Sequence, residues 1–382
     1  MTCHSAENML KYKKGGRFVS FFASDRATAL IDTRALAANF NALGNYVKTA
    51  RKPPRIMAVV KADAYGHGAS TVVPVLLAAG CIDFATATAD EALIVRKLAP
   101  FANILVLGYT PPKRARQLAA AGVTQTVFSL DYAQALSSVL IDAALAVHFK
   151  IDGGMCRLGF DAADIAGIRQ AAALPHLLPR GLFTHFPAAD TDPGATAVML
   201  ERFIRCRTDL AGSGLALFAH AAASAAMLTL PDSWLDAVRP GIALYGVPPV
   251  KTDLPLSPVL SLTAPVVQIH TVPAGTPVGY GGCYVTKRES RIAAVPIGYA
   301  DGFFRALTGF SVTVSHRNNR FSCPVVGSVC MDQLMLDVTD TPAAVGDTVL
   351  LYDDPRPVAA ALGTIPYEVL TALSGRVKRS VK

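Results

Sequence analysis

The 382-residue chain is 52% hydrophobic and only 17% charged, below the roughly 25% charged of an average soluble domain. That excludes a disordered protein and supplies apolar material for a large core, with length enough for two or three domains. Its 36 lysines and arginines exceed 28 aspartates and glutamates, a formal charge of +8, which suits an acidic surface, nucleic acid or a phosphorylated small molecule.

In chain order, residues 1–25 read as a flexible N-terminal extension. Lys11, Lys13, Lys14 and Arg17 precede an apolar run, Phe18 to Ala23, that is too short for a signal sequence and is closed by Asp25 and Arg26. A second basic group, Arg376, Lys378, Arg379 and Lys382, lies in the tail. Elsewhere the basic residues are dispersed, and no DNA- or RNA-binding motif accompanies them, so nucleic acid is set aside. After Asp32 as an N-cap, a helix is expected ahead of the first of eight strand-then-helix units. The expected strands are Ile56–Val60, Ile82–Ala85, Ile104–Leu107, Thr126–Ser129, Leu145–Ile151, Gly181–His185, Leu215–His220 and Ala237–Leu244. Between them lie helical stretches such as Ala69–Ala79, Asp90–Leu98, Asp131–Leu140, Asp161–Ala173 and Thr196–Leu210. Each strand is a continuous apolar run, as expected when both faces are buried. Eight units over about 220 residues match a TIM-type (β/α)8 barrel, assigned to residues 26–250. A doubly wound open sheet shares the alternation, and periodicity leaves both open.

Pro248, Pro249, Pro255, Pro258 and Pro265 then mark a linker. Beyond it, Val266–Val272, Arg291–Pro296, Ser311–Val314, Pro324–Val329, Leu334–Val338 and Thr348–Tyr352 read as strands of a mostly β domain, residues 251–382. The longest uncharged stretch, Leu210 to Pro231, is broken by Gly212, Gly214, His220 and Ser224 and makes a poor membrane span. Seven cysteines without a C-x-x-C pair give neither a disulfide framework nor a zinc site. The expectation is a soluble, cytoplasmic protein with no metal and no membrane partner.

In such a barrel, chemistry gathers at the C-terminal ends of the strands. Lys61 directly follows the first strand and, with little charge nearby, is a candidate for a lowered pKa and for Schiff-base chemistry. A lone lysine there more often snorkels or pairs with a neighbour such as Asp63. Lys150, Asp152, Met155 and Arg157 follow the fifth strand, His185 ends the sixth, His220 and Ser224 follow the seventh, and Arg239, Gly241 and Tyr245 belong to the eighth. Each alone reads as structural; together they fall at one end of the barrel. The loops after strands seven and eight commonly hold phosphate, and Ser224 with nearby backbone amides suits that.

These residues resemble the alanine racemase family. Ala58 to Gly68 is similar to its pyridoxal-phosphate lysine motif, and further matches follow in family order at Lys150–Gly159, Thr184–His185–Phe186, Arg239–Gly246, Pro296–Gly302, Val329–Gln333 and Gly363–Glu368. The resemblance runs from about residue 27 to 378 and implies a pyridoxal-phosphate barrel, a C-terminal β domain and a homodimer with shared sites. It implies that Lys61 carries the cofactor covalently, that Tyr65, Ser224, Gly241, Ile242 and Tyr367 surround its phosphate, and that Arg239 faces the pyridine nitrogen with His220 behind it. Lys61 and Tyr280 of the partner subunit would be the two bases of an L- to D-alanine interconversion. His185 supports that tyrosine, Arg157 lies near the cofactor's phenolic oxygen and the substrate, Met331 and Asp332 contact the substrate carboxylate from the partner, and Tyr299 sits at the channel mouth. Lys150 corresponds to a lysine carried as a carbamate in many members. The implied role is D-alanine supply for peptidoglycan.

Three departures from the family pattern stand out: Gly153 for the usual threonine, Ala223 for asparagine before Ser224, and Pro187 for a small residue after Phe186. A barrel-type decarboxylase of basic amino acids shares the two-domain plan, but Arg239 and Tyr280 speak against it. The β domain speaks against a non-catalytic pyridoxal-phosphate carrier. A racemase of broad specificity is the nearer alternative, against which Cys330–Gln333 favours the alanine type.

Overall fold

The computed structural model describes residues 26–382, so the extension expected over 1–25 lies outside the described residues. Eight parallel strands close into a barrel: Arg55–Val59, Asp83–Thr86, Asn103–Val106, Thr124–Val127, Leu145–Lys150, Leu177–Phe183, Phe218–Ala223 and Ala237–Arg239. Closure comes from Arg55 and Ile56 of the first strand pairing with Ala237 and Val238 of the eighth. The open doubly wound alternative is thereby excluded.

Strand ends differ from expectation where local chemistry intervenes. The eighth strand stops at Arg239 rather than Leu244 because Pro240 has no N–H to donate, and Ile242–Tyr245 forms a 3-10 turn instead. The helix expected from Asp161 starts at Ile165: Asp161 accepts from the Ala163 amide in a turn, and Asp164 caps the helix by accepting from Gly167. Ser129, read as the end of the fourth strand, caps the following helix through the Tyr132 amide.

The leading helix, Thr33–Val47, has the expected Asp32 cap, whose carboxylate accepts from Ala35. Leu36, Phe40, Leu43 and Val47 bury one face at helical spacing. Buried Asn39 donates to the carbonyls of Leu244 and Ser257 and accepts from the Ser257 amide, fastening this helix to the barrel's last turn and to the linker.

The second domain is built on a nine-stranded sheet, antiparallel except at one edge. One assignment needs correction. The strand Thr28–Ile31, placed with the barrel when 26–250 was read as one unit, belongs to this sheet. It lies antiparallel to Leu260–Pro265 and parallel to Lys378–Val381. Two helices, Pro355–Leu362 and Pro366–Thr371, lie within the domain read as mostly β, beyond its last expected strand. A proline at the start of each and Gly363 in the left-handed conformation behind the first are the signals that mark them. Buried residues of barrel and sheet join in one hydrophobic core. No helix among the described residues is long and apolar enough to cross a membrane.

Candidate active site

A cavity of about 430 Å³ opens at the C-terminal ends of the barrel strands, lined by Lys61, Tyr65, Arg157, His185, Ser224, Arg239, Gly241, Ile242 and Tyr367. Nine of the residues singled out in the sequence thus share one wall. Tyr367 comes from the second domain, on the helix Pro366–Thr371.

Lys61 opens an unusual turn. The four residues behind it, Ala62 to Tyr65, have φ between 51 and 55°, a left-handed coil closed by Gly66 at φ 78°. Such a conformation costs an L-residue roughly 1–2 kcal/mol each, so surrounding contacts must hold it. The Glu91 carboxylate accepts from the Ala62 amide at 2.7 Å, and Asp63 accepts from the Ala69 amide at 2.7 Å. A glycine at position 66 is needed twice over: its φ is positive, and a Cβ there would lie 2.2 Å from the Leu370 carbonyl oxygen. Burial and the charge of Arg157 lower the Lys61 pKa, with Glu91 opposing.

Arg239 is buried at the end of the eighth strand. It donates to Nδ1 of His220 at 2.7 Å and to the carbonyls of Thr184 and Ala221 at 2.7 and 2.9 Å. An arginine can only donate, so His220 Nδ1 accepts and its Nε2–H donates to Nδ1 of His148, 2.9 Å away. The His220 ring stacks on Phe183, 4.9 Å between centroids. Burial pushes the Arg239 pKa down to about 9 and that of His148 to about 4, with His220 also well below its usual value. His148 was missed in the sequence; the two-residue strand period that puts it on the same side as Lys150 is the signal that finds it.

At the loops after strands seven and eight, Ser224 Oγ accepts from the amides of Gly241 (3.0 Å) and Ala243 (3.3 Å), leaving its own O–H free to donate. A Cβ on Gly241 would lie 2.3 Å from Tyr65 Oη, so bare backbone is what lets the tyrosine and these amides converge. Tyr65 and Tyr367 lie 6.1 Å apart between ring centroids, and burial raises both pKa values, that of Tyr367 to about 12.

His185 is held neutral, its pKa lowered to about 3 by burial and by the charges of Arg239, Arg157, Lys61 and Lys150. Lys150 lies buried behind this wall rather than in it and donates to the Leu158 carbonyl. Burial and Arg157 lower its pKa to about 8. The departure at Gly153 matches a drawn-in loop, since a Cβ there would meet the His185 carbonyl oxygen at 2.3 Å. Asp190 also lines the cavity and was not singled out in the sequence.

Tyr280, Met331 and Asp332 are not in this cavity. They line a separate shallow depression on the second domain with Gly279, Cys330, Gln333 and Met335. Tyr280 is 74% exposed and Met331 52%. Tyr299, 44% exposed, belongs to neither, but its amide donates to the Cys330 carbonyl, joining its loop to Met331. The buried carboxylate of Asp301 pairs with Arg26 and Arg376, and Arg376 pairs in turn with Asp332.

Both domains have counterparts among known proteins. Residues 31–249 match the sequence model of the alanine racemase N-terminal domain, and residues 259–381 that of the C-terminal domain. The alanine racemase of Desulfosudis oleivorans is 40% identical, covering 92% of this chain and 96% of that one. That of Desulfovibrio desulfuricans is 41% identical over 87% and 93%. Among solved structures, alanine racemase from E. faecalis superposes with a TM-score of 0.86 at 32% identity, covering 94% of this chain and 99% of that one. The Bacillus anthracis alanine racemase, solved with bound L-Ala-P, superposes with a TM-score of 0.85 at 34% identity over 92% and 93%. The chain belongs to the alanine racemase family and is an isomerase of that family.

Proposed function

We propose that the protein interconverts L- and D-alanine with pyridoxal phosphate, as a homodimer in which each cavity is completed by the second copy. The observation that carries this reading is buried Arg239, which donates to neutral acceptors and, among the described residues, has no carboxylate partner. Lys61, Arg157 and Lys150 add positive charge around it while His185 and His220 stay neutral. Such a cavity favours an anionic occupant. The donor set fits the cofactor in particular: at the Ser224–Gly241 corner a hydroxyl free to donate, with the Gly241 and Ala243 amides beside it, for a phosphate, and an amine of lowered pKa for its aldehyde.

When bound, the cofactor withdraws electrons from the substrate α-carbon so that its proton can leave. Tyr65, Ser224, Gly241, Ile242 and Tyr367 anchor the phosphate. Arg239 donates a hydrogen bond to the ring nitrogen and, unlike a protonated carboxyl, keeps its own proton. Its partner His220 fixes the orientation. Lys61, whose charged form is disfavoured by burial and by Arg157, takes the α-proton on one face. Tyr280 of the partner subunit serves the other face, with neutral His185 in reach to orient it. Arg157, Met331 and Asp332 position the substrate carboxylate, and Tyr299 lines the way in. The exposed depression carrying Tyr280 and Met331 is the surface this assembly covers. Lys150, with its pKa of about 8, supplies the neutral amine that carbamylation by CO2 requires, and the resulting carbamate would orient Arg157. A cytoplasmic location and D-alanine supply for peptidoglycan complete the proposal, in keeping with six free thiols among the described residues.

The test follows D-alanine from L-alanine in a coupled assay, with wild type and Tyr280→Phe side by side. Loss of roughly 10²–10⁴ in rate with cofactor absorbance retained is expected, and borohydride reduction should fix the cofactor on Lys61. Bound cofactor without racemisation, but with CO2 released from lysine or ornithine, overturns the proposal.

A further inference from the structure

We propose that Glu91 is a positioning residue for Lys61, its carboxylate clamping the left-handed turn on which the lysine is mounted. This rests on Lys61 being the cofactor lysine. Glu91 belongs to the helix Ala89–Leu98, which follows the second barrel strand, and there it completes a capping box: Thr88 Oγ1 accepts from the Glu91 amide, and Glu91 Oε2 accepts from the Thr88 amide. A capping box needs only that reciprocal pair. Here the same oxygen also accepts from Ala87 at 2.8 Å, and the other, Oε1, reaches out of the helix to the amide of Ala62 at 2.7 Å. The two ends of one carboxylate therefore tie the first βα loop to the second.

The place of that tie gives it meaning. Ala62 is the residue after Lys61 and the first of four L-residues with φ near +50°. A backbone held so far from its preferred region relaxes unless it is restrained from outside, and relaxation at Ala62 would swing the Cα–Cβ bond of Lys61. Glu91 also places negative charge close enough to Lys61 to oppose the effect of Arg157, with Asp190 on the same cavity wall and Asp63 in the turn as the other carboxylates. Arg157 comes from the fifth-strand loop, His185, held neutral, from the end of the sixth strand, and Tyr65, held protonated, from the turn itself.

The variants Glu91→Ala and Glu91→Gln divide these roles, because glutamine keeps one acceptor oxygen but not two, and no charge. Thr88→Ala serves as the comparison, since it weakens the capping box and leaves the reach to Ala62. In the full chain prepared without cofactor, acetylation of Lys61 is followed by mass spectrometry across pH, with amide exchange of the segment 56–68. Loss of the anion lowers the ammonium pKa, so both Glu91 variants should label Lys61 roughly five-fold faster near pH 8. Exchange at residues 61–66 should rise about ten-fold in Glu91→Ala, while Thr88→Ala changes neither and lowers only the melting temperature. If all three variants lose melting temperature alike and leave Lys61 labelling and local exchange unchanged, Glu91 is a helix cap and nothing more. Should Glu91→Ala fail to fold, Glu91→Gln decides the matter on labelling. A cofactor adduct mapped to another lysine would overturn the role of Lys61, yet the labelling result would still report on the clamp.

Discussion

Gly241 has no side chain, and the site depends on that. A methyl there would sit 2.3 Å from Tyr65 Oη, pushing the ring off the corner where Ser224 and the amides meet. Gly241→Ala is expected to weaken cofactor binding at least about ten-fold, a cost of about 1.4 kcal/mol, with the barrel still folded; titration of cofactor absorbance, with far-ultraviolet circular dichroism as control, checks it. The buried histidines make a second prediction at this scale. His67 and His148 are held at a pKa of about 4 by burial, and His220 also lies well below 6.5. The unfolded chain takes up protons on acidification before the folded one does. Stability therefore falls between about pH 6.5 and 4, by at most about 3 kcal/mol for each histidine. Melting temperatures across that range should decline steeply, and His148→Asn should flatten the slope.

Among the elements, the helix Thr33–Val47 shows how one polar residue fixes a packing arrangement. Buried Asn39 satisfies the carbonyls of Leu244 and Ser257 and the amide of Ser257, from two chain segments. Asn39→Leu leaves them without this partner and should cost about 3 kcal/mol or more, at about 1–3 kcal/mol for each group orphaned, read from urea unfolding. Much of the element order was legible because the barrel strands are continuous apolar runs with both faces covered, and the Asp32 cap announced its helix. Element ends were less so, since Pro240 has no N–H for a ladder bond, and Asp161 and Ser129 accept local amide bonds instead. The cavity residues could be gathered because a (β/α)8 barrel sends its strand ends to one rim. His148 and Glu91 stayed hidden for different reasons: one lies inside an apolar strand run, and the other gains its partner only where the fold brings Ala62 to its free oxygen.

At the scale of the whole molecule, the separation of Lys61 from Tyr280 within one chain makes a quantitative prediction about mixing. Lys61→Ala and Tyr280→Phe chains, each inactive alone, should regain activity when unfolded together and refolded. Random pairing puts half the molecules in mixed dimers with one intact site of two, so about a quarter of wild-type activity returns. Recovery near zero would mean that both bases act within one chain.

The strand Thr28–Ile31 carries a consequence for biosynthesis. It precedes the barrel, yet its register pairs Thr28 with Lys378, a partner translated after the whole barrel has emerged. Loop closure over that span is slow, so a nascent chain can assemble the rim holding Lys61 while this strand waits without its parallel neighbour. Stalled or prematurely terminated products would expose the edge of Thr28–Ile31 that Lys378–Val381 covers in the finished sheet, a template for association with other chains. The join between early and late segments is thus among the last contacts a new chain can make, and it lies in the same domain that carries Tyr280.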